Sequence, residues 1–127
     1  MQWLIDGNNV FGSRPDGWWN NRGRAAAELA QRVAEWCITH DDQVVLVFDP
    51  PVEPATLMLA GGNLGIQAAP RRGRNAADDH LANLADAAVE GGQADITVVT
   101  SDKGLVQRLP ASVTRMPVGR FRQLIGY

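Results

Sequence analysis

Three aspartates follow three short apolar segments of this 127-residue chain. Each has its own apolar run: Asp6 after Trp3–Ile5, Asp49 after Val44–Phe48, and Asp102 shortly after Ile96–Val99. Short apolar runs that end in polar turn residues predict buried β-strands. In open parallel sheets the ligand crevice lies beyond the carboxyl ends of the strands. We therefore expect the three carboxylates to converge on one site.

Two further aspartates, Asp78 and Asp79, begin a predicted helix that runs from Ala76 to Glu90. Successive helical residues point about 100° apart, so Asp78 leans towards the buried stripe of the helix and Asp79 points to one side. We expect Asp78 to be a direct metal ligand and Asp79 to act through water. The alternative is that both acids only stabilise the helix, because carboxylates are favoured in a first turn.

Like charges gathered at one edge repel and raise one another's pKa, and a divalent cation resolves that conflict. Oxygen ligands favour Mg²⁺ or Mn²⁺, and no Cys or His cluster indicates zinc. Such an ion activates water and holds a phosphate oxygen, which is the chemistry of phosphodiester hydrolysis. The predicted catalytic residues are Asp6, Asp49, Asp78 and Asp102, and the predicted metal ligands are Asp6, Asp78, Asp79 and Asp102.

Polar and basic residues near these acids are candidates for substrate binding. Arginine grips phosphate with two hydrogen bonds, and lysine supplies a point charge. The alternative for the arginines is a solvated loop. The predicted phosphate- and water-orienting residues are Asn9, Thr100, Ser101 and Lys103, together with Arg71, Arg72 and Arg74 of the basic loop.

Two adjacent indoles, Trp18 and Trp19, follow the first strand. Tryptophan is mostly buried in proteins, so one reading is that they cover the core. The other reading is that they stack against a nucleic acid base.

Strand and helix patterns alternate along the chain, which predicts an α/β fold with a parallel sheet. Residues 11–21 read as a loop and residues 119–127 as a short tail. The other predicted segments are strands at 43–49, 64–69, 96–100 and 112–118, and helices at 22–40, 53–60, 76–90 and 103–109. With 127 residues we expect a single domain over 1–127.

The net charge of −2 gives no global basic field, which argues against a strong non-specific DNA binder. Cys37 is the one cysteine, so no internal disulfide can form and we expect a reducing, cytoplasmic location. No signal peptide or membrane-spanning run is evident. The sequence leaves a homodimer open.

Four motifs together resemble the NYN domains, which are PIN-like ribonucleases, and in particular their YacP-like branch. They are Ile5-Asp6-Gly7-Asn8-Asn9-Val10, Val47-Phe48-Asp49, Asn75-Ala76-Ala77-Asp78-Asp79 and Val98-Val99-Thr100-Ser101-Asp102-Lys103. The resemblance implies a PIN-like Rossmannoid three-layer sandwich with about five mostly parallel strands, divalent-metal nuclease chemistry and an RNA substrate. It carries Asp6, Asn9, Asp49, Asp78 and Asp102 over as the site. Asn75 stands where many relatives have an acid, and Asn8 replaces a common aromatic.

Two other functions compete with a metal-dependent ribonuclease. The chain could be a catalytically weak or inactive RNA-binding protein, which the Asn75 departure favours. A phosphoacceptor switch at Asp49 is a third reading, although such proteins usually have two acids after the first strand, and it rests on fold analogy alone.

Overall fold

The computed structural model describes residues 1–70, 73 and 76–127. The strands are β1 (Gln2–Asp6), β2 (Gln43–Phe48), β3 (Leu64–Ala68), β4 (Ile96–Val99) and β5 (Thr114–Met116). The helices are α1 (Gly7–Gly12), α2 (Arg22–Cys37), α3 (Pro54–Leu57), α4 (Ala76–Glu90), α5 (Lys103–Arg108) and α6 (Val118–Ile125), with a 3₁₀ turn at Trp18–Asn20. None of the described helices combines the length and the apolarity needed to cross a membrane.

The five strands form one sheet in the order β3-β2-β1-β4-β5, and every neighbouring pair is parallel. The predicted α/β fold with a central parallel sheet of about five strands is therefore confirmed. Strand β1 lies in the middle, so the residues that follow it stand between the ends of β2 and β4.

Helices cover both faces of the sheet. Along β1, Trp3 and Ile5 join α1, α2 and α6 in one buried cluster, whereas Leu4 faces α4 and α5 in another. This alternation follows from the two-residue period of a strand, and burial on both faces explains why the strands read as continuous apolar runs.

Two helices were not predicted from the sequence. Helix α1 lies where Gly7, Asn8 and Asn9 resemble a turn, but the Asp6 carboxylate caps it by accepting the Asn9 backbone N–H. Helix α6 lies in the predicted tail. Val118, Phe121 and Ile125 are all buried, and their spacing is a helical period that indicates this helix.

Candidate active site at the carboxyl edge of the sheet

Helix α4 begins above the carboxyl edge of the sheet because Asp49 holds its first turn there. The Asp49 Oδ1 atom accepts the backbone N–H of Ala77 at 2.9 Å. A carboxylate at a helix N-terminus satisfies an otherwise unpaired donor and favours the helix dipole. This bond sets the start of α4 beside the end of β2, where Asp78 lies close enough to Asp6 for its charge to raise the Asp6 pKa.

Asp6 is the most buried of the acids, with 3% of its surface exposed. Its burial, and secondly the charge of Asp78, raise its pKa to about 7, with Asp49 adding a smaller effect in the same direction. Hydrogen bonds from Thr100 and the Asn9 backbone oppose the rise. With a pKa of about 7, the Asp6 carboxyl is partly protonated and partly ionised near neutral pH.

The pKa of Asp78 is also raised, to about 6, first by burial and then by the charges of Asp102 and Asp49. Arg108 acts in the opposite direction. Asp78 therefore lies close enough to Asp6, Asp49 and Asp102 for their charges to interact, so the structure brings these four predicted residues together.

Thr100 links the ends of β1 and β4. Its hydroxyl is fully buried, donates to Asp6 Oδ2 at 3.0 Å and accepts the backbone N–H of Asp102 at 3.1 Å. Asp102 in turn caps α5, where its Oδ1 accepts the N–H of Leu105 at 2.9 Å. The link fixes the position of Asp102 relative to Asp6.

The side-chain amides of Asn8 and Asn9 connect the end of β1 to both neighbouring strands. The Oδ1 of Asn8 accepts the N–H of Asp49 at 2.9 Å, and the Oδ1 of Asn9 accepts the N–H of Ser101 at 2.7 Å. Asn9 was predicted to orient water or phosphate, but its amide oxygen contacts protein backbone. Asn8 was not among the predicted site residues; the signal for it was a second amide directly after a strand-end acid.

The remaining predicted residues have different surroundings. The Ser101 hydroxyl accepts the N–H of Val118 at 3.0 Å and so joins the edge to α6. Lys103 is exposed in the first turn of α5. Asp79 is exposed and pairs with Arg108 at 2.7 Å, so its carboxylate already has a cationic partner.

The two tryptophans differ in exposure. Trp18 is half-buried against Phe11, with ring centroids 5.7 Å apart, and the Arg22 guanidinium lies 5.4 Å from its ring centre. Trp19 is 59% exposed and meets Trp18 edge-on. Trp18 thus covers the core, and Trp19 presents a free indole. The predicted phosphate ligands Arg71, Arg72 and Arg74 lie outside the described residues, as does Asn75.

Carboxylate, hydroxyl and amide oxygens lie at this edge, and these are the ligand atoms that a hard cation prefers. Over residues 1–70, 73 and 76–127, however, no three Asp, Glu, His or Cys side chains are grouped to hold a metal ion. Asp6, Asp49 and Asp102 each commit one oxygen to a backbone N–H, which limits how they can turn. The residues fit an ion that keeps much of its water and takes only one or two direct carboxylates, as Mg²⁺ often does.

The fold is similar to that of several solved structures. Two structures of Rae1 (YacP) from Bacillus subtilis, one of them a mutant, superpose with TM-scores of 0.76 and 0.70 at 20% identity. Each match covers 99% of this chain and 74% of the other. The chain has a YacP-like fold.

A third structure, the T5 D15 protein co-crystallised with metal ions, matches with a TM-score of 0.56 at 11% identity, over 94% of this chain and 55% of that protein. No protein-family model matches the sequence, and no curated protein matches it at a significant level. The resemblance drawn from the four sequence motifs is confirmed at the level of the fold, which is similar to that of the YacP structures.

Proposed function

We propose that the protein is a divalent-metal-dependent ribonuclease that hydrolyses phosphodiester bonds of RNA at the carboxyl edge of its sheet. The observation that carries the proposal is the gathering of carboxylates around the buried Asp6, where hydrogen bonds hold Asp49 against the start of α4 and Asp102 against Thr100. Burial and the neighbouring carboxylates raise the pKa of Asp6 and of Asp78. Acids with strongly perturbed pKa values are typical of functional sites, and a bound cation would offset their repulsion. The PIN-like nuclease fold supports the same class of activity.

Asp6, Asp78 and Asp102 are the proposed ligands of Mg²⁺ or Mn²⁺, with one or two of them, Asp78 included, bound directly and with Asp79 acting through water. When bound, the ion supplies a nucleophilic water and neutralises charge on the scissile phosphate. Asp49 and Asn8 position the start of α4 and the end of β2, while Asn9 and Thr100 hold the end of β4. In the proposed function, this framework holds Asp78 and Asp102 near Asp6.

Hydrogen-bond donors and positively charged side chains are needed to bind the phosphate groups on either side of the cleaved bond. We propose Ser101 and Lys103 for this task on the β4 side, and Arg71, Arg72 and Arg74 in the loop before α4. Trp19 is the proposed stacking surface for a base. The whole chain, 1–127, is proposed to act as one domain in the cytoplasm.

A cleavage assay on labelled single-stranded RNA with Mn²⁺ tests the proposal. The wild type should cleave, while Asp6→Asn and Asp78→Asn should not. Asp86→Asn is the matched control for Asp78, because Asp86 is exposed on the same helix about two turns further from the edge. Equal cleavage by all four proteins would indicate a contaminating nuclease and would overturn the assignment.

A second function, RNA binding without turnover, is favoured by one observation: no three carboxylates among the described residues form a metal-holding group. The two functions differ in their response to a chelator. RNA binding that persists in EDTA, with no cleavage in Mg²⁺ or Mn²⁺, would select the binding protein.

A further inference from the structure

A cavity of about 540 Å³ opens beside the acidic edge, between the first turn of α2 and the segment that follows β2. Asn8 and Asp49, which belong to the candidate active site, form part of its wall. Its volume lies within the range of small-molecule sites, roughly 300–1,000 Å³. A ligand in this cavity would therefore contact the same edge as a scissile phosphate.

The inner wall of the cavity is aromatic and apolar. Phe11 and Phe48 line it, with ring centroids 6.3 Å apart, and Val52 adds an aliphatic side. Thr56 also lines the cavity although only 2% of its surface is exposed. Phe11 is 2% exposed and Phe48 is 1% exposed, so these rings close the floor of the cavity, and its apolar lining suits the body of a heterocyclic base.

Arg22 and Glu53 lie at the rim of the cavity, in addition to Asp49 in its wall. The Arg22 guanidinium lies over the Trp18 ring, and such a cation–π contact keeps a cation at the entrance. Glu53 is exposed at the other side. Its carboxylate reaches across to α2, since a Cβ atom on Gly23 would lie only 2.7 Å from Glu53 Oε1. Because Gly23 has no side chain, the Glu53 carboxylate can occupy this space.

We propose that this cavity binds one unpaired base of the RNA, next to the cleaved bond, and that Glu53 makes guanine the preferred base. Guanine presents two adjacent N–H donors on its Watson–Crick edge, and a carboxylate accepts both. Arg22 would meet the adjoining phosphate, for which its planar fork of donors is suited. The identity of the ligand as RNA rests on the proposed function, whereas the cavity can be tested with free nucleotides.

The first experiment titrates guanosine monophosphate into the protein and follows the backbone amide signals of Gly23 and Ala26 by NMR. Saturable shifts of both signals are expected. Inosine monophosphate, which lacks the 2-amino group, and uridine monophosphate should each bind about tenfold more weakly, the lower end of what one bidentate base contact contributes. Glu53→Gln should remove the preference of guanosine over inosine, and because Glu53 is exposed this variant should fold.

A second variant blocks the cavity. Ala26→Phe should abolish the shifts by filling the space, while Ala27→Phe is the matched control, since Ala27 is similarly half-buried one residue along α2 and lines a different cavity. Guanosine binding that is unaffected by Ala26→Phe and Glu53→Gln would overturn the base-pocket proposal.

RNA cleavage separates this proposal from the nuclease assignment. If RNA is cleaved but the nucleotides leave Gly23 and Ala26 unperturbed, the pocket proposal fails and the ribonuclease stands. If guanosine monophosphate binds as expected and RNA is not cleaved in Mn²⁺, the pocket stands and the ribonuclease fails. If both hold, cleavage sites should cluster beside guanosines in the wild type and lose that bias in Glu53→Gln.

Discussion

Two aspartates at opposite ends of the sheet show how differently the fold treats a carboxylate. Asp42 directly precedes β2 at the amino edge, where the Trp3 indole N–H donates to its Oδ2 at 3.2 Å and His40 lies nearby. That hydrogen bond leads the effects that lower the pKa of Asp42. Asp6 ends β1 at the carboxyl edge, where burial and Asp78 raise its pKa to about 7. The amino edge supplies partners for its acid, whereas the carboxyl edge gathers acids around Asp6, and the proposed cation site rests on that difference.

The largest expected effect concerns activity at the two edges. Asp6→Asn should reduce RNA cleavage in Mn²⁺ by about a hundredfold or more, because even loss of an outer-shell partner of a metal costs 10–100-fold. Asp42→Asn should leave the cleavage rate within about twofold, since Asp42 lies at the far end of the strands. Initial rates of the two variants test this contrast. A hundredfold loss in Asp42→Asn as well would show that the two edges are not functionally distinct.

Without metal, the Asp6→Asn and Asp42→Asn substitutions should change the free energy of unfolding in opposite directions. Each pKa unit corresponds to about 1.4 kcal/mol, and Asp6 is raised from 3.8 to about 7, so its ionisation costs the fold up to about 4 kcal/mol. Between these two values the folded state binds the proton that the unfolded state has lost, and the free energy of unfolding therefore falls as pH rises through that window. In EDTA above pH 7, Asp6→Asn should raise the free energy of unfolding by about 1–3 kcal/mol.

Asp42→Asn should instead lower the free energy of unfolding slightly, by no more than about 1 kcal/mol, because the amide oxygen can still accept the Trp3 indole N–H and only the charge of a partly exposed acceptor is lost. The lowered pKa of Asp42 means that its contribution is present above the unfolded pKa and is lost as pH falls. Urea unfolding across pH measures both variants. An Asp6→Asn protein that is less stable than wild type above pH 7 would refute the account of the carboxyl edge.

An effect smaller than that of Asp6→Asn is expected for Asn8, within the carboxyl edge itself. Asn8→Ala removes the acceptor for the Asp49 N–H and should cost about 1 kcal/mol of stability. It should also lower cleavage several-fold, because Asp49 anchors the start of α4 and with it Asp78. Asn20→Ala is a control amide change, since Asn20 is exposed in the 3₁₀ turn. Equal loss of stability in both variants would remove the positioning role of Asn8.

The sheet was predictable because strands buried on both faces read as continuous apolar runs, and the order of strands and helices follows from their alternation. Helix α1 was not predictable, because Gly7, Asn8 and Asn9 have low helical propensity. The helix depends instead on a cap from Asp6 and on the burial of Val10 and Phe11. The strand-end positions of Asp6, Asp49 and Asp102 followed from the same apolar runs, whereas their roles stay predictions.

What sequence reasoning could not supply are bonds between distant segments. The Asn8 side chain meets Asp49 across 41 residues, and the Asp49 side chain meets Ala77 across 28. No local pattern encodes such a pair, since each depends on which strands become neighbours in the sheet. The cavity beside Asp49 has the same origin, because Arg22 and Glu53 belong to segments that only the fold brings together.

The most direct test of the central claim is a carboxyl-carbon NMR titration of Asp6, first without metal and then with Mg²⁺. The account predicts that Asp6 titrates near its raised pKa of about 7 in the metal-free protein, and that Mg²⁺ moves the pKa well below neutrality by replacing repulsion with attraction. A pKa near the ordinary value of 3.8 that Mg²⁺ does not change would contradict it, because Asp6 would then belong to no anionic cluster and no cation site.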